Sequence, residues 1–292
     1  MQVYNLPYDL LPDAGPAEVI IRRYESAQDT IRNRIVLHYN MLNLLLDGRK
    51  TIVQATGTTT VYQDEILLLT SGNCLTSEIL SDAGRFRSII IYFSNAVLAD
   101  FYVRHAALLQ PAASGGAGRP LATFAKDAFI RNCIESLLLL LDAPAALPLA
   151  IQRLKLEELL LYLLHTAPTA LRALQLSPHS EPSALELRKV IETHVHQPVT
   201  VPELAFLCHM SVSTFQRKFA AIYGLSPQKW LLQQRMQRAA VLLHGQLMPG
   251  EVYQQVGYES HSSFSEAFRK HFGVAPSAFK LQPAPGLAPI AS

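Results

Sequence analysis

At 292 residues the chain is long enough for two domains that each bury a core, and with 49% hydrophobic and 16% charged residues its composition is globular rather than low-complexity. Its longest apolar runs, 137–141 and 159–164, fall far short of the ~20 residues a membrane-crossing helix needs, and the early acids Asp9 and Asp13 interrupt any apolar leader, so a soluble cytoplasmic protein with no membrane partner is expected. The net charge of +2 is unevenly placed: residues 183–282 hold ten Lys or Arg against six acids, residues 1–182 hold fifteen against seventeen, and a basic C-terminal third suits a nucleic-acid partner.

From residue 34 to 93, short apolar runs alternate with turn signals. The runs cover 35–38, 41–46, 51–55, 58–62, 66–69 and 88–93, and the turns carry Asp47-Gly48, Thr56-Gly57, Ser71-Gly72-Asn73 and Ala83-Gly84. Strands at this spacing predict a small antiparallel barrel or sandwich, read here as a cupin-like β-barrel. After Ser94 the apolar period becomes helical, and 95–109, 121–142 and 148–165 are expected as helices around a Pro/Gly/Ser-rich gap at 111–120. The runs 137–141 and 156–164 contain more leucine than one buried face requires, which makes Leu137, Leu138 and Leu141 the expected homodimer contacts.

A metal-dependent cupin enzyme would need a His-x-His pair and a nearby Glu as ligands. His38 instead stands alone on a strand, as a core or rim histidine would. Cys74, Cys133 and Cys208 are odd in number and form no Cys-x-x-Cys pair, so they read as buried or incidental thiols rather than a disulfide framework or a zinc site. No nucleophile elbow and no phosphate-cradling glycine loop occurs. No catalytic residue, metal or cofactor is therefore expected.

Prolines at 168, 178 and 182 mark an inter-domain linker. The expected organisation is a regulatory and dimerisation domain at 1–170, a linker at 171–182, an all-helical domain at 183–282 and a disordered tail at 283–292, α+β as a whole. The helical domain contains one internal repeat. Phe215, Phe219, Gly224 and Pro227 recur 49 residues later as Phe264, Phe268, Gly273 and Pro276. Each phenylalanine pair lies at i,i+4 on one side of a helix, which Gly closes before Pro opens the next.

Ahead of each such helix lies a shorter one. Thr200 and Glu203 form a capping box for 201–208, followed by the turn His209-Met210; the second copy spans 250–256, and its turn is one residue longer. Each unit thus predicts a helix-turn-helix, whose second helix enters the major groove by its N-terminal end. In the first unit Ser213, Gln216 and Arg217 are the expected base readers, Gln being suited to adenine and Arg to guanine. The expected phosphate contacts are Ser211, Lys218, Arg269 and Lys270. Residues 227–244 predict a joining helix of ~27 Å at 1.5 Å per residue, against ~34 Å between successive major-groove faces. One polypeptide would then read two short base blocks about ten base pairs apart.

Residues 183–281 resemble the DNA-binding domain of the AraC/XylS family of bacterial transcription regulators. The resemblance rests on Leu204-Ala205, Ser211-x-Ser213-x-Phe215-x-Arg217-x-Phe219, Gly224-x-Ser226-Pro227, Arg235-x-x-x-Ala239-x-x-Leu242-Leu243, Val256-Gly257-Tyr258, Ser263-Phe264-Ser265, Phe268-Arg269-Lys270 and Phe272-Gly273-Val274-x-Pro276. It implies a DNA-bound regulator, often an activator that contacts RNA polymerase, and it places His261, Ser262, Ser265 and Glu266 at the second groove. Four positions depart from the pattern: Glu266 where Arg is common, Tyr253 where a small residue is usual, Pro249-Gly250 in place of an apolar-small pair, and His209 at a turn often held by Gly. The second unit is therefore expected to bind more weakly.

The first domain resembles the N-terminal domain of the same family, and the runs 44–49 and 63–72 are similar to ExsA-type activators of type III secretion genes. That resemblance implies control by a small effector or by a protein partner, and self-association. Three function classes follow: a DNA-binding regulator, a cupin-like enzyme with an accessory helical domain, and a protein-interaction adaptor. Missing metal ligands disfavour the second, and the double reader disfavours the third.

Overall fold

A computed structural model describes residues 2–10, 17–106, 120–173, 184–245 and 247–281, which divide into two compact units at residue 180. The expected tail at 283–292 and residues 174–182 of the expected linker lie outside the described residues.

The first unit contains β1 (Val3–Leu6), a short 3-10 helix (Tyr8–Leu10), β2 (Val19–Ser26), β3 (Thr30–Leu37), β4 (Asn40–Asp47), β5 (Arg49–Gln54), β6 (Gly57–Val61), β7 (Glu65–Leu69), β8 (Gly72–Ile79) and β9 (Phe86–Phe93). There follow α1 (Asn95–Arg104), β10 (Leu121–Ala125), α2 (Ala128–Asp142), α3 (Leu149–Thr166) and α4 (Pro168–Ala173). The strands form two five-stranded sheets, ordered β1-β3-β8-β5-β6 and β10-β7-β4-β9-β2. One core, with Ile35, Ile52 and Cys74 from the first sheet and Met41, Leu67 and Tyr92 from the second, joins them. A second core lies on the other face of the second sheet, where Leu42, Leu44, Ile66 and Ile91 meet Leu137, Leu159 and Leu163 of the helices.

Strands β4, β7 and β9 are thus covered on both faces, which is why their sequences are apolar runs with little alternation. The chain passes repeatedly from one sheet to the other. At the crossing from β4 to β5, Gly48 has φ +86°, and a Cβ there would fall 2.6 Å from the Ile79 carbonyl oxygen and 2.9 Å from the Phe86 ring, so only glycine fits.

The structure corrects several expectations. Residues 121–125 form β10, paired antiparallel with β7, rather than the first turns of a helix; Asp127 then caps α2 by accepting from the Ile130 N–H at 2.9 Å. Leu137 cannot serve a dimer surface, because it is 0% exposed in the core beneath the second sheet, and Leu138 and Leu141 are half-buried against the same core. The outward leucine of that helix is Leu139, 74% exposed. The first unit also continues past the expected boundary at 170, since Leu171 on α4 is buried with Leu163 and Leu164. His38 is exposed at a strand end, 3.1 Å from Asn5 Oδ1 and beside the Tyr8 ring.

The second unit is helical throughout its described residues: α5 (Ala184–His194), α6 (Val201–Leu207), α7 (Val212–Tyr223), α8 (Pro227–His244), α9 (Pro249–Gln255), α10 (His261–Phe272) and α11 (Pro276–Lys280). Pro227 and Leu231 are buried in the first turns of α8, while Met236, Ala239 and Leu243 join the core formed with Phe264 and Phe268. The same helix closes one helix-turn-helix and opens the next. Among the described residues of both units, no helix is long and apolar enough to cross a membrane, and no group of three or more His, Cys, Asp or Glu side chains is placed to hold a metal ion.

Candidate nucleic-acid interface

The first helix-turn-helix is built from local signals. Thr200 donates to Glu203 Oε2 from its backbone N–H at 2.7 Å and from its hydroxyl at 2.8 Å, which seats the start of α6. The helix ends when His209 takes φ +54°, the His209 N–H donating to the Phe206 carbonyl and the Met210 N–H to the Ala205 carbonyl. This pair of bonds is a Schellman motif, which satisfies carbonyls left over at a helix end. Ser211 then caps α7 by accepting from the Thr214 N–H at 3.2 Å, and Gly224 ends it in the left-handed conformation.

The second unit repeats this path. Met248 N–H donates to Glu251 Oε2 at 2.8 Å, Gly257 takes φ +78°, and Gly257 and Tyr258 donate to the Gln254 and Tyr253 carbonyls. Ser260 caps α10 by accepting from the Ser263 N–H. The offset between the units is 48 residues up to Tyr258 and 49 from Ser260 onward, so Glu259 is the additional turn residue.

Aromatic stacks beneath the two second helices are also copies. Phe215 and Phe219 have ring centroids 5.7 Å apart, and Phe264 and Phe268 5.6 Å. Two further repeat positions were missed at the sequence level because their residue types differ: Tyr223 matches Phe272 and Trp230 matches Phe279. Trp230 meets Phe219 edge-on at 5.6 Å, as Phe279 meets Phe268 at 5.2 Å. Matching aromatic character rather than identity at an offset of 49 would have found them.

Burying these rings turns the opposite face of each helix outward. On α7 that face carries exposed Ser213 and Arg217, flanked by half-buried Gln216; on α10 it carries exposed Ser262 and Glu266, flanked by half-buried Ser265, with His261 exposed at the helix start. Arg217 and Glu266 occupy equivalent places, so the centre of one face is cationic and that of the other anionic. Tyr253 stands where the first unit has fully buried Ala205, and its ring sits edge-on to His261, centroids 6.2 Å apart.

Of the expected phosphate contacts, Arg269 and Lys270 are exposed in the last turn of α10, Lys218 is half-buried on the side of α7, and the Ser211 hydroxyl is engaged by Thr214 and lies 3.1 Å from Ser213 Oγ. Burial pushes the Cys208 thiol up to about 12. Burial, reinforced by Arg238, holds His196 below the usual histidine range, so the loop ahead of α6 carries a neutral imidazole at pH 7.

Two helix-turn-helix units that share one helix and turn polar faces outward define the class: a double helix-turn-helix DNA-binding module. A family model described as a helix-turn-helix domain matches residues 204–282, and one described as the ExsA N-terminal regulatory domain matches residues 40–174. The chain is similar to the virulence regulon transcriptional activator VirF of Yersinia enterocolitica, 28% identical over 164 residues that cover 56% of this chain and 60% of the relative. The HTH-type transcriptional regulator ExsA of Pseudomonas aeruginosa is 26% identical over 239 residues, 80% of this chain and 83% of the relative. The chain spans about 60% of the length of the first Yersinia relatives it matches. Among solved structures, ToxT from Vibrio cholerae covers 90% of this chain and 98% of its own at 13% identity and a TM-score of 0.39. The DNA-binding domain of AdpA in complex with a target DNA covers 35% and 91% at 31% identity and a TM-score of 0.32. The chain thus carries an ExsA-type N-terminal regulatory domain and a helix-turn-helix domain, and the relatives it matches are AraC-family transcription regulators.

Proposed function

We propose that this chain is a sequence-specific transcription activator that binds double-stranded DNA through two unequal helix-turn-helix units, acts on RNA polymerase, and is controlled through its first unit. The observation that carries the reading is the duplicated geometry of α6–α7 and α9–α10, with Ser213, Gln216 and Arg217 on one outward face and His261, Ser262, Ser265 and Glu266 on the other. A helical bundle needs the buried phenylalanines, but it has no need of two capped and equally terminated helix pairs whose outer faces are polar. Ser211, Lys218, Arg269 and Lys270 supply phosphate contacts that set register rather than sequence preference. The names of the Yersinia relatives support activation, and work on DNA implies a cytoplasmic setting.

Control by a small molecule is favoured over control by a protein partner because the two sheets of the first unit leave a cavity of about 190 Å³ between them. Self-association belongs to the same reading, with Leu139 rather than Leu137 as the outward contact on α2. Genome-wide mapping of DNA bound by the full chain tests the whole. Discrete sites upstream of genes, lost with Arg217→Ala, are expected, whereas uniform low occupancy unchanged by that substitution contradicts sequence-specific binding. Sedimentation of Leu139→Asp tests the dimer: a wild-type dimer that becomes a monomer supports it, and unchanged mass removes this surface from it.

A further inference from the structure

The cavity of the first unit lies between the two sheets, and its wall is apolar along Leu37, Met41, Leu69 and Ile90. One end is polar. Lys50 and Glu78 face each other in register on β5 and β8, with Lys50 Nζ 2.6 Å from Glu78 Oε1, both side chains buried. The Tyr24 hydroxyl, reaching across from the other sheet, donates to Glu78 Oε2 at 2.8 Å. Both carboxylate oxygens therefore have a partner, and the charges of the pair cancel.

Tyr92 lines the same cavity from β9. It is 0% exposed, and its hydroxyl has no hydrogen-bond partner among the described residues. A buried hydroxyl left unpaired is costly and uncommon, and a donor at the wall of a cavity is where a ligand group or a water belongs. Burial pushes the Tyr92 and Tyr24 phenols up, so both stay protonated and able to donate at neutral pH.

Size and charge narrow the ligand. An engineered cavity of about 150 Å³ with apolar walls takes up benzene, so 190 Å³ suits a single ring or a similarly small hydrocarbon body with one polar substituent. The only cation among the described lining residues, Lys50, is already matched by Glu78. Arg22, whose charge reaches Tyr92, stands outside the lining with its guanidinium on the Leu10 carbonyl, so a buried ligand carboxylate would lack a directly paired counter-charge and is disfavoured. We infer that this cavity binds a neutral, ring-sized amphiphile whose single hydroxyl or carbonyl oxygen pairs with the Tyr92 hydroxyl beside the Lys50–Glu78 ion pair. The inference rests on the reading of the first unit as regulatory and names the ligand class that unit would sense.

Three probes of nearly equal size separate the alternatives: phenol, toluene and benzoate, titrated by calorimetry into the full-length protein and into Tyr92→Phe. In the wild type, phenol binds saturably, toluene about fivefold or more weaker for want of one hydrogen bond, and benzoate not measurably. Tyr92→Phe removes an unpaired hydroxyl rather than a contact, so it folds with an unchanged or higher Tm, and it binds toluene at least as well as phenol. Benzoate binding as tight as phenol, an undiminished preference for phenol in Tyr92→Phe, or no binding by any probe overturns the inference. DNA binding of the same samples without probe is measured separately. Its failure would count against the regulatory reading and leave the ligand result standing, and the reverse holds as well.

Discussion

Phe219 and Trp230 meet edge-on in the first helix-turn-helix, and 49 residues on Phe268 and Phe279 do the same within half an ångström. Both units cap their second helix with serine and end their first with the same pair of carbonyl bonds. The units diverge elsewhere: on the outer face Arg217 becomes Glu266, the second turn gains Glu259, and buried Ala205 becomes half-buried Tyr253. The stacked aromatic rings must interlock, so those positions accept only another aromatic residue. Under the proposed function the outer side is constrained instead by the DNA it would meet, and two different base blocks would permit two different faces. Shared architecture with unequal chemistry supports the proposal of one reader that specifies and one that chiefly positions.

Substitutions at equivalent places break or sharpen this comparison. The largest effect is expected for Arg217→Ala, which would remove the proposed bidentate contact to guanine and cost about 1–3 kcal/mol of specific binding. Glu266→Ala should instead hold or raise affinity and steepen its salt dependence by about one charge, since it removes a repulsion toward phosphate. Gel shifts across a salt series distinguish the two, and equal losses would mean that the units read alike.

Next comes Gly257→Ala. A side chain at φ +78° costs about 1–2 kcal/mol, and its Cβ would lie 3.1 Å from Pro198 Cα, so a clear drop in Tm is expected. At the equivalent place the first unit already carries that cost: His209 sits at φ +54°, and His209→Gly should gain less than about 1 kcal/mol, because glycine also loses more chain entropy on folding. Smaller again is the contrast between the caps. Glu203 is 3% exposed and accepts two bonds from Thr200, so Glu203→Ala should cost about 1–2 kcal/mol; exposed Glu251→Ala should cost about 0.5 kcal/mol. Denaturant unfolding of the four variants orders them, and a larger loss at Glu251 would contradict the assignment.

How much was legible in the sequence also differs between regions, for a physical reason. In the second unit the helix limits depend on signals a few residues apart: the caps Thr200 and Ser211, the left-handed Gly224 and Gly273, and the prolines at 227 and 276. The joining helix accordingly spans Pro227–His244, as its pattern indicated. Sheet pairing in the first unit depends on distant residues. Strand β4 pairs with β9 and β7, not with its chain neighbours β3 and β5. Strand β8 was overlooked because its mixed stretch Gly72–Ile79 begins in what reads as a turn. With it went Glu78, and so the polar end of the cavity. Residues 121–125 read as helix because their apolar period runs straight into that of α2, and only the edge of β7 draws them into a strand. Leu137 and Leu139 could not be told apart as inner and outer, since every residue of 137–141 is leucine and periodicity is silent there.

The central claim, two linked but unequal readers, is tested most directly by selecting bound sequences from a random DNA pool with the full-length protein and with Arg217→Ala. Two short base blocks about ten base pairs apart are predicted, one strongly enriched and one weakly, with the strong block lost in the variant. A single block, two blocks of equal strength, or enrichment that survives Arg217→Ala would contradict the account.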